Sequence, residues 1–210
     1  MKTISILTLT ITAFLLSSFT GCETDVVEPI PEEETIEVSE EENLGLEYMR
    51  EEEKLARDVY ITLFEMYNNT VFNNISKAEQ QHMDRILTLL EKYNITDPSL
   101  PNVGEFSNTT LQGLYDDLII QGSESEEAAL IVGATIEDLD IKDLNEFKAE
   151  TTDPEIIKIY NALTCGSRNH MRAFTSRLDS LGLEYVPQFI SQEEYDAIIS
   201  GEGERCGQGG

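Results

Sequence analysis

The 210-residue sequence has no tryptophan, only six prolines, two histidines and three cysteines, and fourteen basic residues against forty-one acidic ones. The shortage of basic residues excludes a class of partners. At a formal charge of -27, a phosphate backbone or an anionic surface repels most of the molecule, so no nucleic-acid partner is expected. Scarce proline, with a middle rich in Ala, Glu, Leu and Ile, favours helices over a sheet and predicts an all-α fold. The length argues for one domain with tails rather than two full cores.

The ends read differently from the middle. Lys2, the apolar run Ile4 to Leu16 and the small residues through Gly21 have the layout of a secretory signal over residues 1–21. Phe19-Thr20-Gly21-Cys22 resembles the lipobox of bacterial lipoproteins, which implies cleavage before Cys22 and a diacylglycerol on its sulfur. An ordinary cleaved signal with a chance cysteine is the other reading. The expected location is exported and membrane-anchored, facing the periplasm or the cell exterior. Residues 22–43 carry ten acidic side chains, Pro29 and Pro31 and no basic residue, and read as a disordered acidic tether. Residues 201–210, with five glycines, read as a disordered tail.

Over residues 44–200 apolar side chains recur at helical spacing in four stretches, about 44–67, 70–94, 123–150 and 153–182. Turn residues Asn68 and Asn69, Thr70 as N-cap, Ser123 with Glu126 as a capping box, Asp153-Pro154 and Gly182 set the expected limits. Leu111, Leu114, Tyr115, Leu118 and Ile119 predict a short extra helix between the second and third stretches. Ser191 to Glu194 opens a short C-terminal one. Asn68, Asn94 and Asn108 match glycosylation sequons, which a bacterial lipoprotein would not ordinarily use.

Polar residues interrupt the inward stripes. The first reads Leu46, Met49, Glu53, Ala56, Tyr60, Leu63, and the second Phe72, Ile75, Glu79, His82, Ile86, Leu89. The third carries Glu137 and Asp140, and the fourth Ser167 and His170. Buried carboxylates cost several kcal/mol each even after relaxation (~20 kcal/mol in the idealised limit), and gathered together they repel one another. Arg57, Arg168 and Arg172 lie off these stripes, so coordinated cations are the expected compensation. Glu79 and His82, three residues apart, share one helix face. A metal-free polar network that fixes helix register is the alternative.

Glu53-Lys-Leu-Ala-Arg-Asp-Val-Tyr60 and Glu79-Gln-Gln-His82 resemble the first- and second-helix motifs of rubrerythrin-type proteins. Leu46 to Ile199 as a whole resembles the ferritin-like family catalogued as domain of unknown function 2202, most specifically over Ala134 to Leu144 and Gly166 to Phe174. The resemblance implies an antiparallel four-helix bundle binding one or two iron or manganese ions. Its implied ligands are Glu53, Glu79, His82, Glu137 and His170, with Asp140 as an extra carboxylate. Oxidase or peroxide-reducing chemistry is one implied activity, and an interaction module of the cell envelope is the other class of function. Ser167 departs from the family's bundle pattern by standing where a glutamate belongs. Tyr60 is read either as a hydroxyl near the centre or as a core residue. The chain has no Cys-x-x-Cys, so the iron-cysteine module of true rubrerythrins is absent. Cys165 and Cys206 are open between a disulfide and, for Cys165, a small buried side chain. The expected partners are the membrane, through the lipid, and an unidentified protein; a homodimer is left open.

Overall fold

The computed structural model describes residues 38–206. The proposed signal, Cys22 and all but the last six residues of the tether lie outside them. Among the described residues there are six helices and no strand: α1 Glu40–Tyr67, α2 Thr70–Lys92, α3 Thr109–Gly122, α4 Glu126–Ala149, α5 Pro154–Ser180 and α6 Gln192–Ser200. None is long and apolar enough to cross a membrane.

Local chemistry sets the boundaries, and several differ from those expected. Helix α1 starts four residues before the expected limit, because Ser39 and Glu42 form a reciprocal capping box over residues assigned to the tether. Asn69, not Thr70, caps α2 by accepting from the Val71 N–H. Ser125, not Ser123, caps α4, and Ser123 instead closes α3. Asp153 caps α5 with Pro154 in its first turn, as expected. Gly182, at φ 72°, lets Leu183 N–H reach back to the Leu178 carbonyl and ends the helix. The three sequon asparagines have structural duties: Asn68 and Asn94 take left-handed turns, and Asn108 caps α3. Residues 201–206 are not a loose tail, since Cys206 is bonded to Cys165.

Helices α1 and α2 pair closely, as do α4 and α5, and contacts α1 to α4 and α2 to α5 close the four into a bundle. Helix α3 packs on α1 and α4, and α6 on α5. The interior holds two apolar clusters. One contains Leu55, Tyr60, Leu63, Phe72, Leu130 and Phe174; the other contains Leu46, Met49, Ile86, Leu144, Ile156 and Leu163. On α1, α2 and α5 the chain passes from one cluster to the other across its polar residues, Glu53 on α1, Glu79 and His82 on α2, Ser167 and His170 on α5; on α4 Glu137 and Asp140 precede Leu144 of the second cluster, with Ile141 of the first beside them. Two dry layers therefore sandwich one polar band.

Candidate metal centre

Glu53, Glu79 and Glu137 are each at most 2% exposed. His82 Nδ1 lies 2.8 Å from Glu79 Oε2 and 3.1 Å from Glu53 Oε2. His170 Nδ1 lies 2.8 Å from Glu79 Oε1 and 3.4 Å from Glu137 Oε2. Two groups result, Glu53 with Glu79 and His82, and Glu79 with Glu137 and His170, the potential ligand atoms of each lying within 4.8 Å of one another. Glu79 belongs to both, and the two imidazole rings stack at 5.5 Å between centroids. Five of the six expected ligands thus converge.

Asp140 does not join either group. It is held by the Ser167 hydroxyl, so the short side chain in place of a glutamate fixes a neighbouring carboxylate instead of offering a ligand. The Tyr60 hydroxyl donates to Glu137 Oε1 at 2.5 Å and orients that carboxylate. Sequence reasoning missed Glu52, which is 2% exposed with both oxygens unpartnered. The signal existed: Met49, Glu52 and Ala56 continue the same run of three- and four-residue steps as Met49, Glu53 and Ala56. The buried Arg50, Glu51 and Lys54 were missed too, because they turn toward the segment between α2 and α3.

The electrostatics of the band are unbalanced. Glu53, Glu79 and Glu137 meet two imidazoles, and Glu52 and Asp140 are buried close enough to the other carboxylates to be repelled by them. Among the described residues no arginine or lysine pairs with them: Arg57 pairs with Asp58, and Arg168 and Arg172 with Glu204. Burial pushes the Glu53 and Glu137 carboxyls up to about 7 and drives Glu52 and Asp140 well above their ordinary values. Burial also opposes ionisation of Glu79, yet the charges of His170 and His82 hold it low. Burial lowers and the facing carboxylates more strongly raise the histidines, His170 to about 10.

Some of these groups are close without being bonded. His170 Nδ1 and Glu79 Oε1 are 2.8 Å apart, but neither has an aligned hydrogen-bond partner, and Glu53 Oε1 and Asp140 Oδ1 have none either. Orphaned lone pairs converging in a water-poor interior suit a divalent cation, and the mixed oxygen and imidazole set suits iron or manganese.

An open cavity of about 230 Å³ between α2 and α5 reaches both histidines, lined also by Gln81, Arg85, Gly166 and Glu204. Gly166 makes this fit possible, since a Cβ there would sit 2.4 Å from His82 Nε2.

Residues 42–202 match a sequence family described as an uncharacterized protein domain (DUF2202). The chain is similar to an uncharacterized protein, MJ0754, of Methanocaldococcus jannaschii, with 53% identity over 169 residues, 80% of this chain and 91% of that protein. It is also similar to the crystal structure described as hypothetical protein MJ0754 from Methanococcus jannaschii, with a TM-score of 0.79 and 50% identity, covering 84% of this chain and all of that one.

Proposed function

This chain belongs to the family described as an uncharacterized protein domain (DUF2202), and we propose that it is a ferritin-like bundle that binds iron or manganese in its polar band. One observation carries the reading: two carboxylate and imidazole groups share Glu79 between two apolar layers, with orphaned oxygens and, among the described residues, no arginine or lysine paired with them.

Glu53, Glu79 and His82 would hold one ion, and Glu79, Glu137 and His170 the other. Bound there, such ions supply one-electron redox chemistry toward dioxygen or a peroxide. The chain's own residues do the positioning. Tyr60 fixes the Glu137 carboxylate, Ser167 fixes Asp140, and the cavity beside Gly166 admits a small molecule to the histidine side. The apolar layers exclude bulk water above and below. Export and lipid attachment at Cys22 belong to the same proposal, supported by the signal-like residues 1–21 and the lipobox resemblance.

A metal-free polar network, as in an envelope interaction module, is favoured by the same 2.8 Å imidazole to carboxylate distances, which close as ion pairs without an ion. Elemental analysis separates the two. Protein loaded with ferrous or manganous salt and desalted is expected to retain about two ions per chain, and Glu79→Gln to lose both while keeping its helicity. Retention of no metal by the folded wild type removes the metal reading.

A further inference from the structure

The cavity that reaches the two histidines has a wall that is not part of the bundle. Residues 201–206 run along α5, and Glu204 and Cys206 form part of the cavity lining. Four residues on one face of α5 hold this strap. Cys165 is bonded to Cys206. Arg168 donates through Nε (2.8 Å) and Nη2 (2.5 Å) to the two Glu204 carboxylate oxygens. Asn169 accepts from the Glu204 N–H and donates to its carbonyl. Arg172 adds a bond to the same carboxylate and another to the Ile198 carbonyl at the end of α6.

These anchors are unequal in kind. Arg168 and Glu204 are each about 30% exposed, and ion pairs in that setting hold weakly in water and weaken with salt. The disulfide is the one covalent anchor. Both of its cysteines are partly exposed, so a small thiol can reach it.

We propose that the Cys165–Cys206 disulfide is a reducible latch, and that a dithiol reductant opens the strap over the cavity leading to His82 and His170. A thiolate of the reductant attacks one cysteine sulfur, the protein S–S bond breaks, and the freed cysteine leaves as a thiolate that takes up a proton. The second thiol of the reductant then resolves the mixed disulfide. The protein gains two electrons and two protons as two thiols, and the reductant becomes a disulfide. With the latch open, only the ion pairs and the Asn169 contacts keep the wall in place. The side of the bundle facing Gln81, Arg85 and Gly166 becomes a wider entrance. The inference rests on the metal reading for its purpose, since access matters when the histidines serve ions, but its test does not require metal.

The test is hydroxyl-radical footprinting of the full chain, read by mass spectrometry at His82 and His170. The wild type, the wild type reduced with dithiothreitol and alkylated, and Cys206→Ser are compared. Labelling of the two histidines is expected to rise about twofold or more in the latter two, with far-UV helicity unchanged. Glu204→Gln, which keeps the disulfide, is expected to give a smaller rise and guards against a cysteine variant that fails to fold. Equal labelling in oxidised and reduced folded protein overturns the latch. Manganese uptake, followed in parallel by loss of the free-ion paramagnetic signal, separates the two claims. Opening without uptake sinks the metal reading alone, and uptake at one rate in both redox states sinks the latch alone.

Discussion

Glu79 faces both imidazoles, one with each oxygen, and that placement makes the two groups one centre. Its neighbour across α5 is the absence of a side chain at Gly166. A methyl group there would meet His82 Nε2 at 2.4 Å and Cε1 at 2.6 Å, so the ring must tilt and carry Nδ1 away from Glu53 and Glu79. Gly166→Ala is therefore expected to fold, alanine being favoured over glycine in a helix, yet to lose metal affinity by about tenfold or more, read by competition with a chromophoric chelator. At this scale much of the site was legible. Glu53, Glu79, His82, Glu137 and His170 stood out because a carboxylate or imidazole on an apolar stripe violates the pattern around it. Asp140 was expected with them but lies outside both groups, because spacing gives a helix face and not a side chain's reach, and Ser167 takes that carboxylate up. Glu52 was passed over because the inward stripe was drawn through Glu53, and its neighbours are buried by different partners: Glu51 turns to the segment before α3 and Glu53 to His82 on α2.

At the scale of elements, two long irregular segments are held by buried charges reaching from helices. The segment before α3 is anchored to α1: Glu51 accepts from the Ser107 and Asn108 N–H groups, and Lys54 donates to the Asn102 and Glu105 carbonyls. The segment after α5 is anchored to α4, where Asp138 accepts from the backbone of Gln188, Phe189 and Ile190 and from the Tyr185 hydroxyl. Asp138→Ala would strand three backbone donors. A loss of about 3 kcal/mol in urea unfolding is expected, with metal content retained; a change within about 0.5 kcal/mol would count against the anchoring role. Helix number and order were legible in the sequence because caps and apolar periodicity are local signals. These anchors were not, because they join residues about fifty positions apart and leave no periodic trace. The caps of α2 and α4 shifted by one or two residues for a related reason: neighbouring Asn, Thr and Ser residues compete for the same N–H groups, and packing chooses among them.

For the whole molecule, the buried band ties stability to pH. In the metal-free protein Glu53 and Glu137 keep protons up to about pH 7 that an unfolded chain releases near 4.5. His170 keeps its proton up to about 10 against 6.5. All three bind protons more tightly when folded, so stability falls as pH rises, first between about 4.5 and 7 and then from 6.5 toward 10. Glu79, held low, has the opposite sign, and its contribution is lost as pH falls below 4.5. Bound cations compete with the same protons, so loading strengthens as pH rises. The gap in Tm between manganese-loaded and chelator-treated protein is expected to widen from pH 5 to pH 8, measured by calorimetry in matched buffers; a gap that is flat or shrinking would rule out a metal bound by these groups.

Both histidines of the chain sit inside this band. Every imidazole resonance in a proton or nitrogen magnetic-resonance spectrum of the unlabelled protein therefore originates at the centre, with no surface ring to overlap it. Two ring signals suffice to watch protonation, paramagnetic broadening and strap opening in the intact chain, without a tag or an introduced probe.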